Sequence, residues 1–86
     1  MPRISAFYGI IIWMYVRDHA PAHFHAEYPG QIAVFTIDPI EVYTGSLPTR
    51  AERLVREWGN MHSDELRLNW LRATEGLPVV KIEPLP

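Results

Sequence analysis

Three of the four histidines fall within seven residues, in the string Asp18-His19-Ala20-Pro21-Ala22-His23-Phe24-His25. Imidazole titrates near neutrality, so such a cluster can exchange protons, ligate a metal ion or hydrogen-bond at a surface. In an extended segment, His23 and His25 leave the same side of the backbone with Cα atoms about 6.6 to 6.8 Å apart, within reach of one shared metal. Glu27 lies about 13 Å from His23 on such a strand, so a third ligand would come from His19, Asp18 or another element. The same groups could instead cleave a phosphodiester. His23 or His25 would then trade protons, Glu27 would orient one ring, and Arg17 or Arg53 would neutralise developing negative charge. A polar strand face of this kind can also be structural or partner-facing, with one imidazole packed against the sheet.

A second constellation is cationic. Arg50, Arg53 and Arg56 recur every third residue, with Arg67 and Arg72 beyond, enough guanidinium for several phosphates or an acidic protein. Glu52 and Glu57 are interleaved with them, and pairs such as Arg53 and Glu57, four apart, also serve simply to keep a helix soluble. Trp58 falls in a helical apolar stripe and reads as core, as do Trp13 and Trp70, in preference to base-stacking platforms. No Gly-rich phosphate loop, nucleophile elbow or His-Glu-x-x-His zinc helix occurs.

The elements that must position these groups follow from periodicity. Ile10 to Arg17 is apolar on both alternating faces and suits an interior strand. His23 to Tyr28 alternates cleanly, with Phe24, Ala26 and Tyr28 on one face and His23, His25 and Glu27 on the other. Pro29-Gly30 carries the signature of a type II turn, and Gln31 to Ile37 resumes as a strand. With a two-residue loop, Tyr28 pairs with Gln31, Phe24 faces Phe35 and His25 faces Val34. Asp38-Pro39 marks another turn before a short strand from Ile40 to Tyr43.

The helical region opens near Leu47-Pro48-Thr49, where Thr49 with Glu52 forms a capping-box pattern, or Pro48 stands first in the helix. Ala51, Leu54, Val55, Trp58 and His62 make its core stripe. Gly59-Asn60 either ends that helix or is tolerated within it. Ser63 before Asp64 and Glu65 is positioned to cap a second segment reaching Glu75, which Gly76 and Pro78 stop. Leu66, Trp70 and Ala73 give that segment its apolar face, while Leu68 and Leu71 stray from it as an additional contact surface. Val79 to Ile82 either pairs at a sheet edge or lies over the helices. The expected architecture is a single α+β domain over residues 1–86: an antiparallel sheet of about four strands, with one long or two consecutive C-terminal helices on one face.

Composition narrows the function classes. The 86-residue chain is long enough for one core only. Ten acids against eight bases provide no global basic field for nucleic acid, so any such contact must be local. The absence of cysteine excludes a disulfide framework, a thiolate zinc site and a cysteine nucleophile. The apolar run Phe7 to Val16 is only ten residues long, short of the roughly 20 a membrane helix needs. Arg3, that run and Ala20-Pro21-Ala22 superficially imitate a signal peptide, but the β-branched and aromatic content suits a core strand better. A cytoplasmic location is the expectation, without contact to membrane.

The ordered segments Met1-Pro2-Arg3-Ile4-Ser5, Phe7-Tyr8-Gly9, Asp18-His19 with Pro21 and His23-Phe24-His25, Gly45 with Leu47-Pro48, Glu57-Trp58 and Lys81-Ile82-Glu83-Pro84-Leu85 span nearly the whole chain. In order and spacing they resemble the small bacterial family described as domain of unknown function 4160. Where relatives show a fuller proline run, this chain has Ala20-Pro21-Ala22. The resemblance implies no established activity, and any cofactor is left unknown. It implies a gene that often neighbours another small domain of unknown function, the arrangement of toxin–antitoxin modules.

These readings define the expectation. The chain would be a component of such a two-gene module, binding the small protein of the neighbouring gene and acting on RNA through His23, His25 and Glu27, with Arg17, His19, Arg53 and Arg56 as binding residues. A non-catalytic interaction module is one alternative, with a second copy of the chain as another possible partner. A metal-binding domain using His23 and His25 is the other.

Overall fold

The chain turns back on itself almost at once. In the computed structural model, which describes residues 2–16 and 19–86, strand β1 (Arg3–Phe7) pairs antiparallel with β2 (Ile10–Trp13), Phe7 facing Ile10. The intervening Tyr8 and Gly9 have φ of 49° and 80°. Two successive positive φ values define the turn family whose twist matches a hairpin. The sequence reading began the first strand at Ile10 and ran it to Arg17, so it missed β1 and overextended β2. Arg17 lies outside the described residues, as does Asp18.

Three more strands follow as a meander: β3 (His23–Tyr28), β4 (Gln31–Thr36) and β5 (Glu41–Gly45). The sheet has five strands in the order β1-β2-β3-β4-β5, all antiparallel. Across β3 and β4, Tyr28 pairs with Gln31, Phe24 with Phe35 and His25 with Val34, the register expected from the two-residue turn.

Two consecutive helices, α1 (Thr49–Met61) and α2 (Ser63–Thr74), complete the α+β fold. They supply the second layer against the face carrying Ile4, Phe7, Ile12, Phe24 and Phe35. Phe24 stacks on Phe35 at 5.5 Å between ring centroids, and Trp58 closes on Phe24 at 5.8 Å and on Phe7 at 5.4 Å. Each such fully buried ring contributes about 1.5 to 3 kcal/mol through removal from water. The Trp58 indole N–H donates to the Glu83 carbonyl at 2.8 Å, so the tail satisfies the one polar atom of this aromatic centre.

The tail, expected either at a sheet edge or over the helices, forms no strand but is fastened to both. Ile82 N–H donates to Ile4 O at the β1 edge, while the Asn69 side chain both donates to Val80 O and accepts from Val80 N–H, each at 2.8 Å, which fastens the tail to α2.

The helix starts differ from expectation. Pro48, with ψ 147°, precedes Thr49 as the cap residue, and no side chain caps α1. Glu52 does not reach back toward Thr49 because Arg56 holds it, with Arg56 Nε and Nη2 at 3.1 and 3.0 Å. Ser63 is likewise the first helical residue of α2 and not its cap; His62 takes the cap position, its Nδ1 2.5 Å from a Glu65 carboxylate oxygen. Arg67 ties α2 to the β4–β5 turn through Asp38 at 2.8 Å and also bonds Asp64. Desolvation works against the Arg67 charge, but the Asp38 and Asp64 carboxylates outweigh it and hold the guanidinium above its ordinary pKa.

Gly59 lies inside α1, where glycine is costly for helix propensity, because a Cβ there would stand 2.9 Å from Ile40 Cγ2. Gly59→Ala therefore trades a helix gain of about 1 kcal/mol for overpacking of about 1 to 3 kcal/mol. In urea denaturation the midpoint is expected to fall. In an Ile40→Ala background the same change should raise it. An unchanged or higher midpoint in the native background would show that Ile40 does not confine this helix.

Candidate functional site

The alternation of β3 divides its side chains between two environments. Phe24 and Ala26 are fully buried toward the helices, so His23, His25 and Glu27 take the opposite face. On that outer face Trp13, His25, Val34 and Thr44 form one cross-strand row over β2 to β5. The His25 ring stacks parallel on Trp13 at 5.3 Å and meets the edges of Tyr15 at 4.9 Å and His23 at 5.2 Å. His23 in turn leans on Trp70 of α2 at 5.1 Å. The imidazoles are thus held in a small aromatic assembly separate from the main core, and Trp13, expected as core, is buried there.

His23 Nδ1 is 2.6 Å from the Pro21 carbonyl oxygen. A carbonyl can only accept, so Nδ1 carries the proton, and in the neutral ring Nε2 is the basic nitrogen. This arrangement holds a histidine in a single orientation and tautomer, as suits either a proton acceptor or a metal ligand.

A cleft of about 450 Å³ opens over this face, lined among others by Tyr15, His19, His23, His25, Tyr43 and Thr44. Its volume falls within the range of small-molecule sites. No described lining residue carries a permanent charge. An anion bound there would depend on protonated imidazole, whereas a planar ligand would find rings on several sides.

The structure brings together His19, His23 and His25 and separates Glu27, Arg53 and Arg56 from them. Glu27 is half-buried on the same strand face but does not line the cleft, and no hydrogen bond joins it to either histidine of β3. Arg53 is exposed on α1, across the sheet from the imidazoles. Arg56, also on α1, is engaged by Glu52 and by the Ile40 carbonyl at 3.1 Å. Arg17 lies outside the described residues. Among the described residues, no group of three or more His, Asp or Glu side chains is placed to hold a metal ion. Tyr43, Thr44 and Val34 were not anticipated as lining residues, and the contact of Trp70 with His23 had no local sequence signal.

A family model described as Domain of unknown function (DUF4160) matches residues 9–71. The chain belongs to this family. The DUF4160 match spans β2 to β5, α1 and most of α2, and so takes in every described cleft residue named above. No curated protein and no solved structure matches the chain. None of the described helices of this DUF4160 domain is long and apolar enough to cross a membrane.

The tautomer of His23 is directly measurable. Side-chain ¹⁵N shifts of the neutral ring should report a protonated Nδ1 and an unprotonated Nε2. A protonated Nε2 instead would contradict the anchoring by Pro21.

Proposed function

We propose that this DUF4160 domain is the RNA-directed member of a two-gene, toxin–antitoxin-like module, acting in the cytoplasm and paired with the small protein of a neighbouring gene. The reading rests chiefly on one observation: three imidazoles share a single cleft of nucleotide size over the outer face of β3. Such a site matches metal-independent RNA cleavage. His23 Nε2 accepts the proton of a ribose 2′-hydroxyl, the 2′-oxygen attacks phosphorus, and the 5′-oxygen leaves with a proton from a second imidazole, His25 or His19. The products are a 2′,3′-cyclic phosphate and a free 5′-hydroxyl, with no net consumption of protons. Neither Glu27 nor Arg53 has a part in this scheme, because neither reaches the cleft.

With no permanent charge among the described lining residues, RNA affinity should derive from ring contacts more than from phosphate neutralisation. A shallow dependence on salt follows. A metal-binding reading also has support in the fixed tautomer of His23 beside His25. An interaction-module reading is favoured by Leu68 and Leu71, 59 % and 60 % exposed on α2.

Expression of the chain without its neighbour should arrest growth. Purified protein should generate cyclic-phosphate ends in the presence of EDTA, with a bell-shaped dependence of rate on pH. His23→Ala and His25→Ala should each lower the rate by about 10²-fold or more, and Arg53→Ala should leave it unaltered. Intact RNA at every pH, with or without added zinc or manganese, together with unimpaired growth, would refute the reading.

A further inference from the structure

Tyr43 lines the cleft through an irregularity of strand pairing. Between β4 and β5, Val34 pairs with Thr44 and Phe35 with Val42, so Tyr43 is the extra residue of a bulge. In a regular strand, neighbours such as Tyr43 and Thr44 would point to opposite faces. Here both line the same cleft. Bulges re-aim side chains in this way beside binding sites. The result is a phenol ring left 57 % exposed at the rim, two strands from His25 and therefore about 9.5 Å away across the sheet. That gap is wide enough for a planar ring to lie against Tyr43 while its attached chain passes the imidazoles.

The geometry points to Tyr43 as the stacking and specificity-determining residue of the cleft, and to the unpaired nucleobase of single-stranded RNA as the group it takes. This inference rests on the RNA reading above and deepens it. Three observations favour a base over a peptide: the lining includes two tyrosines and three histidines, it holds no permanent charge among its described residues, and the exposed ring stands on a sheet face. Sheet-borne aromatic rings are a general means of holding single-stranded bases, since every base has a π-face and duplex bases are inaccessible. Stacking on one ring tolerates different bases, so the site should discriminate single strands from duplexes more than one sequence from another.

The test is fluorescence anisotropy with labelled hexauridylate, hexaadenylate, an abasic strand of equal length and a short RNA duplex. Native protein should bind both single strands and neither the abasic strand nor the duplex to a comparable degree. Tyr43→Ala should weaken single-strand binding by about tenfold, while Tyr43→Phe and Tyr43→Trp keep it within about twofold. Circular dichroism would verify that each variant keeps the native fold, as an exposed edge position permits. Unchanged affinity in Tyr43→Ala, with His25→Ala still impaired in cleavage, would overturn the stacking role and leave the RNA reading standing. No binding of any RNA by the native protein would overturn both. Weakened binding of the neighbouring gene's protein by Tyr43→Ala, with RNA affinity unaltered, would reassign the ring to a protein contact.

Discussion

The two-residue repeat of strand β3 is the constraint on which the rest of the structure depends. Phe24 and Ala26 must face the helices because their burial holds the sheet to the second layer, and a one-residue slip would send them to solvent. The same geometry obliges His23 and His25 to emerge on the other side. The stacked pair of Phe24 and Phe35, closed by Trp58, pins that register from the core side. The site is therefore a consequence of packing on the face opposite to it.

The helix layer also contributes to the outer face. Trp70 of α2 meets the His23 ring, and Trp13 beneath His25 gives the imidazoles a rigid aromatic bed. Pro21 adds a hydrogen bond that sets the orientation of His23. Arg56 and Arg67, by contrast, are used in holding helices to the β4–β5 region, through Ile40 and Asp38. Among the described residues, these two guanidinium groups lie outside the imidazole cleft. Among the described residues, Arg53 and Arg56 do not join the imidazoles in one phosphate-clamping site.

Much of this was legible from local chemistry. The period of two in β3, the Pro29-Gly30 turn and the apolar stripe of α1 each follow from side-chain pattern, and together they set the Phe24–Phe35 pair and the shared face of His23 and His25. What escaped detection depended on backbone geometry or distant contacts. Tyr8 at positive φ is an uncommon hairpin residue, so the turn between β1 and β2 left no clear signal and β1, which leads into the apolar run, escaped the pattern. Glu52 fitted a capping box by spacing, yet a guanidinium one turn away bound it more strongly. Ser63 fitted a cap equally well, but the chain turns into α2 at His62. Tyr43 reaches the cleft only because β5 carries a bulge, and a bulge leaves no mark in the alternation of so short a strand. Gly59 read equally as a helix end or as a tolerated interior residue; it is interior, and its missing Cβ admits Ile40. The family was legible because its motifs are spread along the chain in order, independent of any one element.

The central claim is that the imidazoles of His19, His23 and His25 form one ligand-accessible surface with the β5 edge, insulated from the arginine-bearing helix. Side-chain and backbone NMR during titration with uridine 3′-monophosphate tests it most directly. The account requires the resonances of these histidines, Tyr43 and Thr44 to shift along a single binding curve, while Arg50, Arg53 and their neighbours on α1 stay still. Shifts centred on α1, or histidine resonances that move independently or not at all, would contradict it.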